Sequence, residues 1–167
     1  GHGVLSTLSH LCGNMARTMR SPGLLTLAFF CGLHTAAGAT LQGGEGLMRA
    51  VTLQLLSAMP GVTLLAGADL SIVARELMAG DLNMICYVFS EALAQFQAGR
   101  VLVLIDGAHF NGTEARSAEM RAVVRFLHKT VVELRTAGRG LVLKVLVTNP
   151  AGRQRFEWDL PGQDLYM

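Results

Sequence analysis

The feature that most constrains the fold is the run Val101–Ile105, in which every residue is apolar and which ends directly in Asp106 and Gly107. Such a run, without alternation of apolar and polar residues, is typical of a strand buried on both faces, as in a parallel sheet covered by helices. Ligands of these sheets bind beyond the carboxyl ends of the strands. The run therefore predicts that Asp106 lies at a binding edge; the alternative is that Asp106 and Gly107 only form a turn.

Two further apolar runs predict a sheet of three strands, at about 24–31, 101–106 and 141–148. Between and before them, apolar residues recur at helical spacing. This spacing predicts helices at 7–20, at 45–59, from Leu82 to a cap at Gly99, and from the Asn111-Gly112 turn to Gly138. Residues 62–81 show no clear pattern. Strands that alternate with helices pair in parallel through right-handed crossovers, so we expect a three-layer α/β sandwich.

The charge of the chain argues against two classes of partner. The net charge is +2, from 14 basic and 12 acidic residues that form no block of like charge. A nucleic-acid or anionic-membrane surface needs concentrated positive charge. The long uncharged intervals are also interrupted by polar residues, glycine and proline, and are too short to span a bilayer. We therefore expect neither nucleic acid nor a membrane as a partner.

The cysteines indicate the compartment. The chain has three, Cys12, Cys31 and Cys86, far apart and each within an apolar pattern. An odd number of isolated cysteines suits buried, reduced thiols better than a disulfide framework. We therefore expect a cytoplasmic protein.

Polar residues and histidines follow all three predicted strands. They form the groups Gly32-Leu33-His34, Asp106-Gly107-Ala108-His109 and Thr148-Asn149. The carboxyl ends of parallel strands share one edge of the sheet, so these groups are predicted to converge there.

The order of elements resembles the P-loop NTPase core of STAND-type proteins, including the NACHT class, and is similar to a family of uncharacterised fungal proteins with a divergent P-loop-like domain. The segments that carry the likeness are Phe29–His34, Gly46–Arg49, Ile105–Gly107 and Leu143–Thr148. The resemblance implies that Asp106 is the Walker B carboxylate, a ligand of Mg²⁺. It also implies that Thr148 and Asn149 are the polar sensor. The whole chain, 1–167, would then be a single domain and a fragment of a longer protein, with a first core strand before Gly1 missing.

The sequence departs from the pattern of an active NTPase in three places. The segment from Gly1 through Gly3 to Ser6 and Thr7 has the glycines and hydroxyls of a phosphate loop but no lysine. Ala108 and His109 stand where acids usually follow Asp106, and Pro150 stands where an arginine commonly follows the sensor. Ser6 and Thr7 at a helix start can still bind phosphate through free amides.

These observations predict a degenerate P-loop NTPase-like regulatory domain that binds ATP or GTP with Mg²⁺ and hydrolyses it little or not at all. The predicted binding residues are Gly1, Gly3, Ser6, Thr7, Asp106, Thr148 and Asn149, with Asp106 as the metal ligand. The expected partners are another protein or the remaining domains of the parent chain.

Two alternatives remain open at this point. The first is a non-catalytic interaction module, in which the α/β core is a scaffold and a partner covers the apolar surface left by the missing strand. The second is a metal-dependent hydrolase in which Asp106, His34 and His109 hold Zn²⁺ or Mn²⁺.

Overall fold

The computed structural model describes residues 6–19, 21–36, 38–59, 75–76, 79–96, 99–108, 113–138 and 140–149. In chain order, these contain α1 (Thr7–Thr18), β1 (Leu24–Phe30), a 3₁₀ turn (Cys31–His34), α2 (Gly43–Ser57), α3 (Leu82–Gln95), β2 (Gly99–Asp106), α4 (Glu114–Thr136) and β3 (Leu141–Val147).

The three strands form one sheet in the order β1-β2-β3, and both pairs are parallel. The apolar run that the sequence places in β2 occupies the centre, where it is covered on both faces. All six residues from Val101 to Asp106 are buried. The prediction of an α/β fold built on a short parallel sheet is confirmed.

The two faces of the sheet pack against different helices. On one face, Val101, Val103 and Ile105 join a core with apolar residues of α2, α3 and α4. On the other face, Leu102 and Leu104 are buried and α1 contacts β1 and β2. Helices therefore cover both faces, an arrangement compatible with the predicted three layers.

Local sequence explains where the helices begin and end. Ser6 caps α1 by accepting a hydrogen bond from the Ser9 amide at 3.0 Å, and Asp81 caps α3 through the Met84 amide at 2.8 Å. At the end of α4, Gly138 has a φ of +61°, as expected of a glycine just beyond a helix.

Several predicted boundaries are corrected. Helix α1 ends at Thr18 rather than at residue 20, α2 covers 43–57 rather than 45–59, and β3 ends at Val147, one residue early. Cys31 belongs to the 3₁₀ turn rather than to β1. Gly99 is not the cap of α3, because that helix ends at Gln95 and Gly99 begins β2.

Within the described segments, no helix is both long and apolar enough to cross a membrane. The predicted site residues Gly1, Gly3 and His109 lie outside the described residues, as does most of the stretch 62–81 for which the sequence shows no pattern.

Candidate functional site

The carboxyl edge of the sheet brings Asp106 and Thr148 into direct contact. Ile105 pairs with Val147 in the parallel register, so the next residue of each strand meets its counterpart at the edge. The Thr148 hydroxyl donates a hydrogen bond to Asp106 Oδ1 at 2.5 Å. The same hydroxyl accepts one from the Gly107 amide at 3.1 Å. The side chain of Thr148 thus links the carboxylate to the loop that follows it.

Backbone hydrogen bonds hold this contact in place. The Thr148 amide donates to the Ile105 carbonyl at 2.8 Å, and the Ala108 amide donates to the Thr148 carbonyl at 3.0 Å. These two bonds continue the β2–β3 ladder beyond the last strand residue. The positions of Asp106 and Thr148 are therefore set by the sheet itself rather than by a free loop.

Both side chains are buried. Asp106 is 4% exposed and Thr148 is 8% exposed. A buried carboxylate requires hydrogen-bond donors, and the Thr148 hydroxyl supplies one. Asn149, the next residue, is half-buried at the same edge.

Two cysteine thiols also lie close enough to Asp106 for its negative charge to affect their pKa values. Burial and, secondarily, the negative charge of Asp106 raise the pKa of the Cys31 thiol to about 12. The same two causes raise the pKa of the Cys12 thiol above its ordinary value. Both thiols therefore stay protonated near neutral pH, which makes them poor nucleophiles and poor metal ligands.

The N-terminus of α1 points toward the same edge. The Thr26 hydroxyl, near the start of β1, donates to the carbonyl of Met19, just after α1, at 3.2 Å. Cys12, in the middle of α1, lies close enough to Asp106, which is level with the end of β1, for the charge of that carboxylate to affect its thiol, so α1 runs antiparallel to β1. Its 12 residues extend about 18 Å, further than the roughly 13 Å from the level of Thr26 to the end of the strand. The helix start therefore reaches the carboxyl edge.

At that helix start, the predicted residues Ser6 and Thr7 have different roles. The Ser6 hydroxyl accepts from the Ser9 amide and contacts the Ser9 hydroxyl at 3.0 Å, so it serves as the N-cap. Thr7 is exposed. The amides of Thr7 and Leu8, in the first turn, have no intrahelical acceptor, and such amides attract anions.

The structure does not bring His34 to Asp106. The His34 ring stacks on Phe29, with centroids 4.7 Å apart and planes at 12°. Phe29 pairs with Ile105 and shares its face of the sheet, whereas Asp106 belongs to the opposite face. Among the described residues, no group of three or more His, Cys, Asp or Glu side chains is arranged to hold a metal.

The two lysines of the chain lie away from this edge. Lys129 is on the exposed surface of α4, where it forms an ion pair of 3.6 Å with Glu133. Lys144 is exposed in the middle of β3, opposite Leu102. A cleft of about 390 Å³ between α3 and α4 includes Lys129 but none of Asp106, Thr148 and Asn149 in its lining.

The oxygen atoms at the edge fit Mg²⁺ better than a softer metal. Mg²⁺ prefers oxygen ligands and usually keeps several waters, with one or two protein carboxylates. Asp106 supplies a carboxylate and Thr148 a hydroxyl in contact with it, and Asn149, the next residue, has an amide oxygen. This donor set suits a hydrated ion rather than a closed protein cage.

Sequence reasoning missed one residue near the site, Cys12, and one that supports the sheet, Gln54. Cys12 and Gln54 each stand in an amphipathic pattern, Cys12 among apolar residues of α1 and Gln54 on a helix side with apolar neighbours. Gln54 hydrogen-bonds the backbone of β1, and Cys12 lies close enough to Asp106 for the charge of that carboxylate to raise the pKa of its thiol. A lone polar residue on an apolar helical side was the only available signal for Gln54.

In a comparison with known proteins, no protein-family model, curated protein or solved structure matches the chain.

Proposed function

We propose that this protein is a regulatory domain of the P-loop NTPase-like, STAND type that binds ATP or GTP with Mg²⁺ and hydrolyses it little or not at all. The observation that carries the proposal is the hydrogen bond from Thr148 to Asp106 at the carboxyl edge toward which the α1 N-terminus points. An acid and a hydroxyl in contact, at the edge toward which a helix N-terminus points, are parts that a phosphate–Mg²⁺ site uses.

Each element of the edge has a distinct part in this proposal. The free amides of Thr7 and Leu8 would donate to phosphate oxygens, aided by the helix dipole. Asp106, with Thr148 in contact with it, would hold waters of the hydrated Mg²⁺. Bound Mg²⁺ supplies positive charge that neutralises the phosphates.

Three features account for weak or absent hydrolysis in this proposal. Asp106 is followed by Gly107 and Ala108, so no acid next to it can polarise an attacking water. Neither lysine of the chain is at the edge to stabilise charge on the transferred phosphoryl group. Asp106 is also already engaged by Thr148. Binding without turnover suits a switch whose state reports nucleotide occupancy.

Isothermal titration calorimetry with ATP and GTP, each with and without Mg²⁺, tests the proposal on the whole chain. We expect saturable binding that requires Mg²⁺, with no phosphate release in a parallel assay. Asp106→Asn should greatly weaken the Mg²⁺-dependent binding, because it removes the negative charge that would hold the hydrated ion while keeping the shape of the side chain. Lys129→Ala, on the far surface of α4, is the matched control and should bind as the wild type does.

Absence of binding by protein shown to be folded by circular dichroism would reject this function. Steady phosphate release would reject the proposed lack of turnover.

A second candidate is an interaction module without nucleotide. The 4% exposure of Asp106 favours it, because an acid that is buried and bonded to Thr148 is also a sound structural element. In that case calorimetry shows no heat, and Asp106→Asn changes only the stability.

A further inference from the structure

The two outer edges of the sheet differ. On β1, the Ala28 amide donates to Gln54 Oε1 at 2.9 Å, and Gln54 Nε2 donates to the Ala28 carbonyl at 3.0 Å. The side-chain amide of Gln54 thus takes the place that the peptide group of a neighbouring strand would take. Because Gln54 belongs to α2, the helix closes the middle of this edge against another strand.

Within the described part of the chain, the outer edge of β3 has no such cover. The Thr148 amide bonds to Ile105 of β2, so even-numbered residues of β3 direct their backbone groups inward, toward β2. Alternate residues point the other way. The amides and carbonyls of Leu141, Leu143, Val145 and Val147 therefore face outward, and no described residue pairs with them.

Side chains on one face of β3 add a specific pattern to this open edge. Val142 is 46% exposed and Leu146 is 37% exposed, because α1 packs mainly on β1 and β2. Lys144 lies between them, is exposed, and has no ion-pair partner within the described part of the chain. The edge therefore presents an apolar residue, a cation and an apolar residue in a row.

This pattern disfavours pairing with a second copy of the chain. Two antiparallel copies of β3 in full overlap would align Val142 with Leu146 and place Lys144 directly opposite Lys144 of the other copy. Like charges opposite each other destabilise a strand pair. Sliding the copies apart by two residues shortens the overlap and sets each lysine against a valine or leucine.

We propose that the open edge of β3 binds an extended segment of a partner protein that carries an acidic residue with apolar residues two positions before and after it. The acid would pair with Lys144, the apolar residues would cover Val142 and Leu146, and main-chain hydrogen bonds would form along the edge. The pattern is the same in both chain directions, so it applies to parallel and antiparallel pairing. This inference does not depend on nucleotide binding.

Nuclear magnetic resonance with short peptides tests the inference on the whole chain. The probes are seven-residue blocked peptides, Thr-Val-Thr-Glu-Thr-Val-Thr and the same sequence with Lys at the centre. We expect the Glu peptide to slow amide hydrogen exchange at Leu141, Leu143, Val145 and Val147, and to bind about fivefold more tightly than the Lys peptide. Lys144→Glu should reverse that preference. Lys129→Glu, which makes the same charge change on α4, should not.

Either of two results would overturn the inference. One is an unchanged rate of hydrogen exchange at the four outward amides when the Glu peptide is saturating. That result would mean that Lys144 only prevents unwanted strand pairing at this edge. The other is a preference for the Glu peptide that survives Lys144→Glu in protein with a native circular dichroism spectrum, which would assign the binding to another surface.

Discussion

At the scale of single residues, Asp106 and Thr148 show how a parallel sheet can place two distant positions in contact. Neither side chain depends on a loop for its position, because the β2–β3 ladder continues past both. The contact has a structural consequence whether or not a nucleotide binds. Thr148 satisfies a buried carboxylate, and removal of its hydroxyl would leave that carboxylate without this donor.

We therefore predict that Thr148→Val lowers the free energy of unfolding by about 2–4 kcal/mol, the range for leaving a buried charged group unsatisfied. Valine has nearly the same shape, so the loss reports the hydrogen bonds to Asp106 and from Gly107. Urea unfolding followed by circular dichroism measures it.

Thr148→Ser keeps the hydroxyl and is the control, with an expected loss under about 1.5 kcal/mol from the missing methyl group. Equal losses in the valine and serine variants would show that the hydroxyl contributes nothing to stability.

At the scale of elements, the start of α2 packs unusually closely against α4. A Cβ atom on Gly44 would lie 2.7 Å from the backbone carbon and oxygen of Glu119. Backbone atoms cannot move aside as a flexible side chain can, so glycine is what allows the two helices to approach here. This approach fixes α2, which in turn supplies Gln54 to the edge of β1.

We predict that Gly44→Ala lowers the free energy of unfolding by about 1–2 kcal/mol, because overpacking outweighs the better helix propensity of alanine. Gly13→Ala is the matched control. Gly13 lies within α1 with open space around it, so alanine there should raise the free energy of unfolding by about 0.5–1 kcal/mol. Chemical denaturation of both variants gives the comparison. A stabilising effect at both positions would contradict the tight contact between α2 and α4.

At the scale of the whole molecule, the sheet was predictable from sequence and much of its support was not. An unbroken apolar run such as Val101–Ile105 has apolar side chains on both faces of its strand, and both faces must be shielded from water. Its location in the centre of a sheet covered by helices therefore follows from its composition. The contact between Asp106 and Thr148 follows from parallel strands that end together. Both predictions use local patterns and a topological rule.

The features that sequence reasoning missed depend on contacts between distant segments. The apolar pattern before Gly99 predicts a helix cap there, yet Gly99 has a φ of +137°, and a Cβ on it would lie 2.8 Å from the Gly23 carbonyl oxygen. Glycine is needed at position 99 because the backbone passes close to the Gly23 carbonyl oxygen. The sequence around residue 99 contains no pattern that indicates this contact. His34 follows a strand end as Asp106 does, but its ring stacks on Phe29, on the other face of the sheet. Side-chain direction at a strand end was therefore not predictable from position alone.

The stability of the whole molecule should fall at alkaline pH because of its buried thiols. A thiol of Cys31 has an ordinary pKa of 9.0, and burial followed by the charge of Asp106 raises the pKa to about 12 in the folded protein. Between these two values the unfolded chain loses a proton that the folded chain keeps, so rising pH favours unfolding. Below pH 9 the raised pKa of Cys31 makes its full contribution to the free energy of unfolding, and this contribution is lost as the pH approaches 12. Within that window, Cys31 lowers the free energy of unfolding by up to about 1.4 kcal/mol per pH unit. Urea unfolding at pH 8.0 to 10.5 should show the decline in the wild type and a shallower decline in Cys31→Ala, whereas parallel declines would place the titrating group elsewhere.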